Sequence, residues 1–233
     1  MKNLIRKLVS EKFPSYQIVS NLLKKYPSYS QASQDLFVLA VLDGLKCGTY
    51  LEIGAYEPIQ LSNTFLLERK YHWDGVSLEI DPKFAAAWKT NIFRQNPCFC
   101  ADALTIEWES FLCSHYPTRK INYLSLDIDP SHQSLKVLQS LPLNKFSFDV
   151  ITFEHDSYRD GFQVRDIARQ YLLSYGYKLV VADIESSEGK PFEDWFVSDS
   201  VKLNQSQLNL FSEMNRCPDA NTAFAKYMKN QSR

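Results

Sequence analysis

Tyr50-Leu51-Glu52-Ile53-Gly54-Ala55-Tyr56-Glu57-Pro58 runs an apolar strand into an acid, a glycine and a proline. A sheet edge built this way receives a small ligand: Gly54 lets the backbone approach it closely, and Glu52 sets a carboxylate where a pyrophosphate would be repelled. Pro58 has no N–H to give, and the turn holds a single glycine, so it lacks the glycine-rich run of amides that cradles a dinucleotide phosphate. A small cationic cofactor suits such a turn better than NAD does.

Around this stretch, from Gln34 onward, helical periodicity alternates with short β-branched or aromatic runs, the pattern of βαβ units and a mostly parallel sheet. Strands are expected at 49–53, 75–79, 98–101, 122–127, 149–153 and 177–182, with a seventh, antiparallel one at 194–198. Helices are expected at 62–71, 82–91, 106–115, 131–141 and 162–175, with Pro82 in a first turn and Gly176 at a left-handed C-terminal cap. Gln31-Ala32-Ser33-Gln34-Asp35 reads as a further helix start whose polar groups can close over a cofactor. The organisation expected is a helical appendage at 1–28, one domain at 29–202, and a polar tail at 203–233 that is helical on the surface or partly disordered.

The chain has 233 residues, 45% hydrophobic and 23% charged, enough for one sizeable core. A formal net charge of -1, from 26 basic and 27 acidic side chains, gives no broad electrostatic attraction for nucleic acid. The five cysteines lack disulfide or zinc spacing, which fits a reducing, cytoplasmic setting. Arg6 and Lys7 interrupt the apolar run a signal peptide would need, and no stretch reads as a transmembrane span.

In open α/β sheets ligands bind beyond the carboxyl ends of the strands, where strand order reverses. Here those ends collect acids: Glu52, then Glu79 and Asp81, then Asp102, then Asp127 and Asp129, then Glu154, His155 and Asp156. Glu79 is placed to accept hydrogen bonds from ribose hydroxyls, and without a phosphate cradle the cofactor expected is S-adenosylmethionine (SAM). Alternation along the fourth strand would put Asp127 and Asp129 on one side, next to Glu154 and His155. That group can hold a divalent cation through Asp127, Asp129 and Glu154, or supply a general base, for which His155 has a suitable ordinary pKa. His72, His115 and His132 near helix ends are given no role.

In order along residues 29–201, Ser30-Gln31-Ala32-Ser33-Gln34-Asp35, Leu51-Glu52-Ile53-Gly54-Ala55, Leu61-Ser62-Asn63-Thr64, Trp73-Asp74-Gly75-Val76-Ser77-Leu78-Glu79-Ile80-Asp81-Pro82, Tyr123-Leu124-Ser125-Leu126-Asp127-Ile128-Asp129 and Ile151-Thr152-Phe153-Glu154-His155-Asp156 resemble the FkbM-like family of SAM-dependent methyltransferases. Gly176-Tyr177-Lys178-Leu179-Val180 and Glu193-Asp194-Trp195 complete the series. The resemblance implies a Rossmann-like class I methyltransferase fold with a mostly parallel seven-stranded sheet, and O-methylation of a hydroxylated small molecule, a sugar or glycan. Carried over by position, Glu52, Gly54, Ala55, Ser62, Asn63, Glu79, Ile80, Asp102 and Asp127 would line the SAM site. Asp127, Glu154 and His155 would face the acceptor as catalytic groups. The alternatives are a SAM-binding module without transferase activity and a nicotinamide-dependent oxidoreductase. Oligomeric state is not legible.

Overall fold

A computed structural model describes residues 28–186, 188–217, 219–222 and 224; the basic helices expected before Ser28 and the last part of the polar tail lie outside the described residues. The order of elements is α1 (Gln34–Val41), β1 (Thr49–Ile53), α2 (Phe65–Tyr71), β2 (Asp74–Glu79), α3 (Pro82–Thr90), β3 (Cys98–Cys100), α4 (Trp108–His115) and β4 (Lys120–Leu126). Then come α5 (Ser131–Ser140), β5 (Ser147–Glu154), α6 (Ser157–Asp160), α7 (Gln163–Ser174), β6 (Tyr177–Glu185), β7 (Pro191–Ser198) and α8 (Gln205–Arg216). A short 3-10 turn, Ala103–Thr105, follows β3.

One 7-stranded sheet runs β3-β2-β1-β4-β5-β7-β6. The first five strands in this order pair in parallel, and β7 pairs antiparallel with both β5 and β6. The central strands are rich in apolar residues because both faces of the sheet are covered, with a few buried polar groups such as Glu52, Ser125 and Glu193 among them. Successive side chains point to opposite faces, so Tyr50, Tyr123 and Trp195 enter one core while Leu51, Leu124 and Phe196 enter the other. Among the described residues no helix is long and apolar enough to cross a membrane.

Two expectations at the chain's periphery need revising. The tail does not stop at the surface: α8, begun by a reciprocal Asn204–Gln207 capping box, buries Leu210, Phe211 and Met214 in the same core as α1. Gln207 Nε2 also donates to the carbonyls of Ala40 and Val41, both at 2.9 Å, which satisfies the open C-terminal end of α1. Few apolar residues are present there, but they share one helix face. The second revision concerns β4, which ends at Leu126, so Asp127 and Asp129 lie beyond the strand and its alternation does not govern them.

The turns around the end of β1 are tight. Gly54 N and Ala55 N both donate to Leu78 O at 3.0 Å, and Asp127 N donates to Ile53 O at 3.0 Å. Gly54 sits at φ 85, and a Cβ there would lie 1.6 Å from the Asp127 carbonyl oxygen. The glycine is therefore demanded by the neighbouring backbone at the β1–β4 junction, a more local cause than ligand approach alone.

Candidate functional site

Between β1 and β4 the chain's path across the sheet reverses, and beyond the strand ends there lies a cavity of about 510 Å³. Its wall includes Glu52, Gly54, Ala55, Asn63, Glu79, Ile80, Asp102 and Asp127 from the expected cofactor set, together with Asp129 and Glu154. Gln31, Tyr56, Leu61, Ile128 and Gln133 line it too; none was in the expected cofactor set, although all but Gln133 lie in the sequence blocks quoted above. Ser62 does not line it. Its hydroxyl is fully buried and accepts from Phe65 N at 3.2 Å and Thr64 N at 3.4 Å, capping α2.

At the β2 side, Glu79 is held by two loops: Oε2 accepts from Tyr56 N, in the turn after β1, at 2.7 Å and Oε1 from Asp81 N, in the turn after β2, at 2.8 Å. Each oxygen retains a second lone pair. Asp102 Oδ1 accepts from Leu104 N at 2.9 Å, fixing the acid at the β3 exit. Ile80, Leu61 and Tyr56 remain exposed as an apolar rim over these acids.

Glu52 is not a free charge at the tip of β1. It is 2% exposed, and its Oε2 accepts from Ser77 Oγ at 2.7 Å and Thr64 Oγ1 at 2.8 Å, with Arg94 Nη2 at 4.0 Å. Burial raises its pKa, against the lowering effect of Arg94 and the two hydroxyls. Arg94 was not legible in the sequence: it lies in an unpatterned loop and reaches the site only through the fold.

Asp127, Glu154 and Asp156 form a second group at the β4 and β5 exits. Glu154 is in hydrogen-bond contact with both aspartates, and burial first, then the neighbouring carboxylates, raises Glu154 well above the ordinary range. Burial raises Asp127 and Asp156 as well. A hydrogen bond between two carboxyl groups requires a proton on one of them, so the raised affinity of Glu154 for its proton and its contacts with the two aspartates go together. Asp129 stands apart from them, paired with Arg159 at 2.5 Å; Arg159 also reaches Asp156 at 2.8 Å. Among the described residues Asp127, Asp129 and Glu154 do not bring their carboxylate oxygens together as one cation-holding group; Glu154 contacts Asp127, and Asp129 pairs with Arg159.

His155 is likewise displaced from its expected role. It is wholly buried, does not line the cavity, and accepts from Ser157 N at Nδ1 (3.1 Å). That bond puts the hydrogen of the neutral ring on Nε2, which faces Asp194 Oδ1 at 3.6 Å and Asp183 Oδ1 at 3.9 Å. His155 is the first residue beyond β5; its N–H and that of Asp156 both donate to Phe192 O, at 2.7 and 3.0 Å, which ties it toward β7, while Glu154 lines the cavity. Among the described residues His155, Asp183 and Asp194 do cluster with metal-ligand spacing, yet Arg169 already binds Asp194 through Nε and Nη2, both at 2.7 Å, and Arg165 binds Asp183 at 3.0 Å. Two guanidinium groups balance the two carboxylates, and a dication would add uncompensated charge.

Glu193 on β7, opposite Glu154, is completely enclosed; burial lifts its pKa to about 8, although Trp195 Nε1 and Gln34 Nε2 donate to it at 2.6 and 2.9 Å. A carboxyl raised above its unfolded value contributes stability that is fully present at low pH and is lost as pH rises through the folded pKa. The wild-type protein is thus expected to lose stability between pH ~4.5 and pH ~8, and Glu193→Gln to flatten that slope by about 1.4 kcal/mol per pH unit. Chemical denaturation at several pH values measures both slopes, and equal slopes would show that Glu193 keeps its ordinary pKa.

No family model matches the chain, and no curated protein matches it. Among solved structures, an O-methyltransferase from Bacillus cereus in complex with SAH superposes with a TM-score of 0.52 at 18% identity, covering 84% of this chain and 97% of that one. The chain has the Rossmann-like class I methyltransferase fold. Human methyltransferase-like protein 13 in complex with SAH gives a TM-score of 0.48 at 16% identity, covering 85% of this chain and 90% of that one. An rRNA methylase from Streptococcus thermophilus gives 0.48 at 9% identity, over 71% of this chain and 93% of the other.

Proposed function

We propose that this protein is a SAM-dependent methyltransferase of the FkbM-like kind, acting on a hydroxyl of a small molecule, a sugar or glycan. The observation that carries the reading is the state of the amides at the β1 turn. Gly54 N and Ala55 N donate to Leu78 O, and Tyr56 N donates to Glu79, so the three N–H groups that a dinucleotide phosphate would need are already bonded. What the cavity offers instead is acceptors. Among the described residues six carboxyl side chains and no lysine, arginine or histidine line it; Arg94 and Arg159 stand beside Glu52 and Asp129, and the remaining acids suit a cationic cofactor and an uncharged acceptor better than nucleic acid or a nucleotide-linked sugar.

Bound there, SAM would supply an electrophilic methyl group on a sulfonium. Glu79 and Asp102 would accept from the ribose hydroxyls, with Ile80 and Leu61 giving an apolar surface for the base. Glu154, at the mouth, would take the proton of the acceptor hydroxyl, the role that His155 cannot reach. Positioning by the rigid strand ends would provide most of the rate enhancement, with the base adding roughly 10² to 10⁴-fold.

Calorimetry with SAM and NAD side by side, followed by a methylation screen over free sugars and nucleotide sugars with labelled donor, tests this reading. SAM binding without NAD binding is expected, and tight NAD binding would sink it. In the turnover assay Glu154→Gln is expected to lower kcat by roughly 10²-fold or more. Wild-type turnover is expected to rise with pH above the ordinary carboxylate range as Glu154 releases its proton.

A further inference from the structure

The connection from α3 to β3 carries two large apolar side chains outward: Ile92 is 85% exposed and Phe93 48%. Neither belongs to a core cluster of the described residues. A fixed turn presents them. Phe93 N donates to Asn91 Oδ1 at 2.9 Å and Arg94 N to Asn91 O at 3.2 Å, while the buried Arg94 side chain anchors the loop on Thr64 and Tyr50. Single apolar residues on a surface are ordinary; a consecutive pair held out at the tip of an anchored turn is a contact surface without its contact.

The ground around the tip is basic. Arg69 and Lys70 close α2 and Lys89 closes α3, with the Arg69 guanidinium 5.8 Å from the Phe93 ring centroid. Asn96 Nδ2 donates to Trp73 O at 2.9 Å, tying the loop to the end of α2. Residues 69–73 and 89–96 contain no acid, and the first one beyond them, Asp74, opens β2. Cations in a last turn complement the helix dipole, which accounts for their sign but not for the apolar pair beside them. The tip lies at the sheet edge where β2 and β3 begin, opposite the edge where the cavity acids gather. A net charge of -1 conceals this separation.

The occupant must therefore be anionic and must accept a projection. An isoleucine this exposed has little protein beside it, so it offers a rigid partner a point and not a face; a lipid headgroup layer yields around such a point. The chain's own ends do not complement the patch. Residues 1–27 hold Lys2, Arg6, Lys7, Lys12, Lys24 and Lys25 against Glu11, and residues 225–233 hold Lys226, Lys229 and Arg233 with no acid. They carry the sign of the patch and are repelled by it.

We propose that the Ile92–Phe93 turn docks this protein on the surface of a membrane that contains anionic lipid. The two apolar side chains enter the headgroup layer, and Arg69 and Lys89 pair with its phosphate and carboxylate groups. The cavity then faces away from the bilayer, its acids clear of the anionic surface. This docking is independent of the cofactor reading.

Sedimentation of the whole chain with vesicles of phosphatidylcholine alone, and of phosphatidylcholine mixed with phosphatidylserine, tests it at low and high salt. Wild type is expected to bind the mixed vesicles, to bind phosphatidylcholine roughly tenfold more weakly, and to lose affinity as salt rises. Ile92→Ser with Phe93→Ser is expected to weaken binding to the mixed vesicles roughly tenfold or more, and Arg69→Glu with Lys89→Glu by a similar factor. Melting temperatures show that each pair folds, and if one does not, the other decides alone. Wild type that ignores the mixed vesicles, or binding that the variants keep in full, would overturn the proposal. So would a dimer that the serine pair dissociates, which assigns the tip to a second copy, or capture of an RNA oligonucleotide lost only in the glutamate pair, which assigns the cations to nucleic acid.

Discussion

Gly54→Ala is expected to destabilise the protein by about 2 to 5 kcal/mol and to abolish cofactor binding. A residue with a side chain at φ 85 carries about 1 to 2 kcal/mol of backbone cost. The added methyl meets a peptide carbonyl at 1.6 Å, which cannot swing away as a flexible side chain would. Relief requires β1 and the Asp127 turn to separate, and that strains the Asp127 N to Ile53 O bond and the paired donation of Gly54 N and Ala55 N to Leu78 O. Overpacking of this kind typically adds about 1 to 3 kcal/mol. Against a total of about 5 to 15 kcal/mol the loss is severe, and the melting temperature should fall by roughly 10 °C. Denaturant unfolding with SAM calorimetry checks it: a variant within about 1 kcal/mol of wild type would mean that the seam opens freely.

Arg94→Met is the second large effect. Arg94 is 7% exposed and its guanidinium lies 3.8 Å from the Trp88 ring centroid, with Nη2 donating to Thr64 Oγ1 at 2.9 Å and the Tyr50 hydroxyl at 3.1 Å. Its Nε is 3.0 Å from Glu68 Oε2, an ion pair in distance although off the N–H direction. Removing the cation leaves Glu52 and Glu68 buried without a counter-charge, a defect of about 3 to 5 kcal/mol.

The pH dependence identifies the cause. Burial already raises Glu52, and loss of the lowering influence of Arg94 raises it further, so in the variant the stability present at low pH is lost over a wider span as pH climbs. The deficit relative to wild type should therefore be smaller at pH 5 than at pH 8. Adding Glu52→Gln should recover part of it at pH 8, measured as a double-mutant cycle. A deficit independent of pH would show that lost packing on Trp88, and not charge, is responsible.

Much of the scaffold was legible because its signals are local. The runs ending at Ile53 and Glu79, the helix opening at Pro82 with Asp81 as cap, the left-handed Gly176 and the antiparallel last strand follow from two-residue alternation, 3.6-residue periodicity and the conformational limits of proline and glycine. The gathering of acids at one sheet edge followed from the same pattern, since parallel strands all end on one side. The C-terminal helix was harder, because three apolar residues on one face do not say whether a core has room for them.

The sequence by itself determined the class of fold and the edge on which ligands would meet it, since both depend on periodicities written within a few residues. Only the tertiary structure decided which acids act as free groups. It buried His155 away from the cavity, set an arginine from a remote loop beside Glu52, bonded Glu154 to Asp127 and Asp156, and left one oxygen of Asn63 without a donor among the described residues. Charge state and hydrogen-bond satisfaction depend on neighbours distant in the chain, and a linear pattern does not record which of them will arrive.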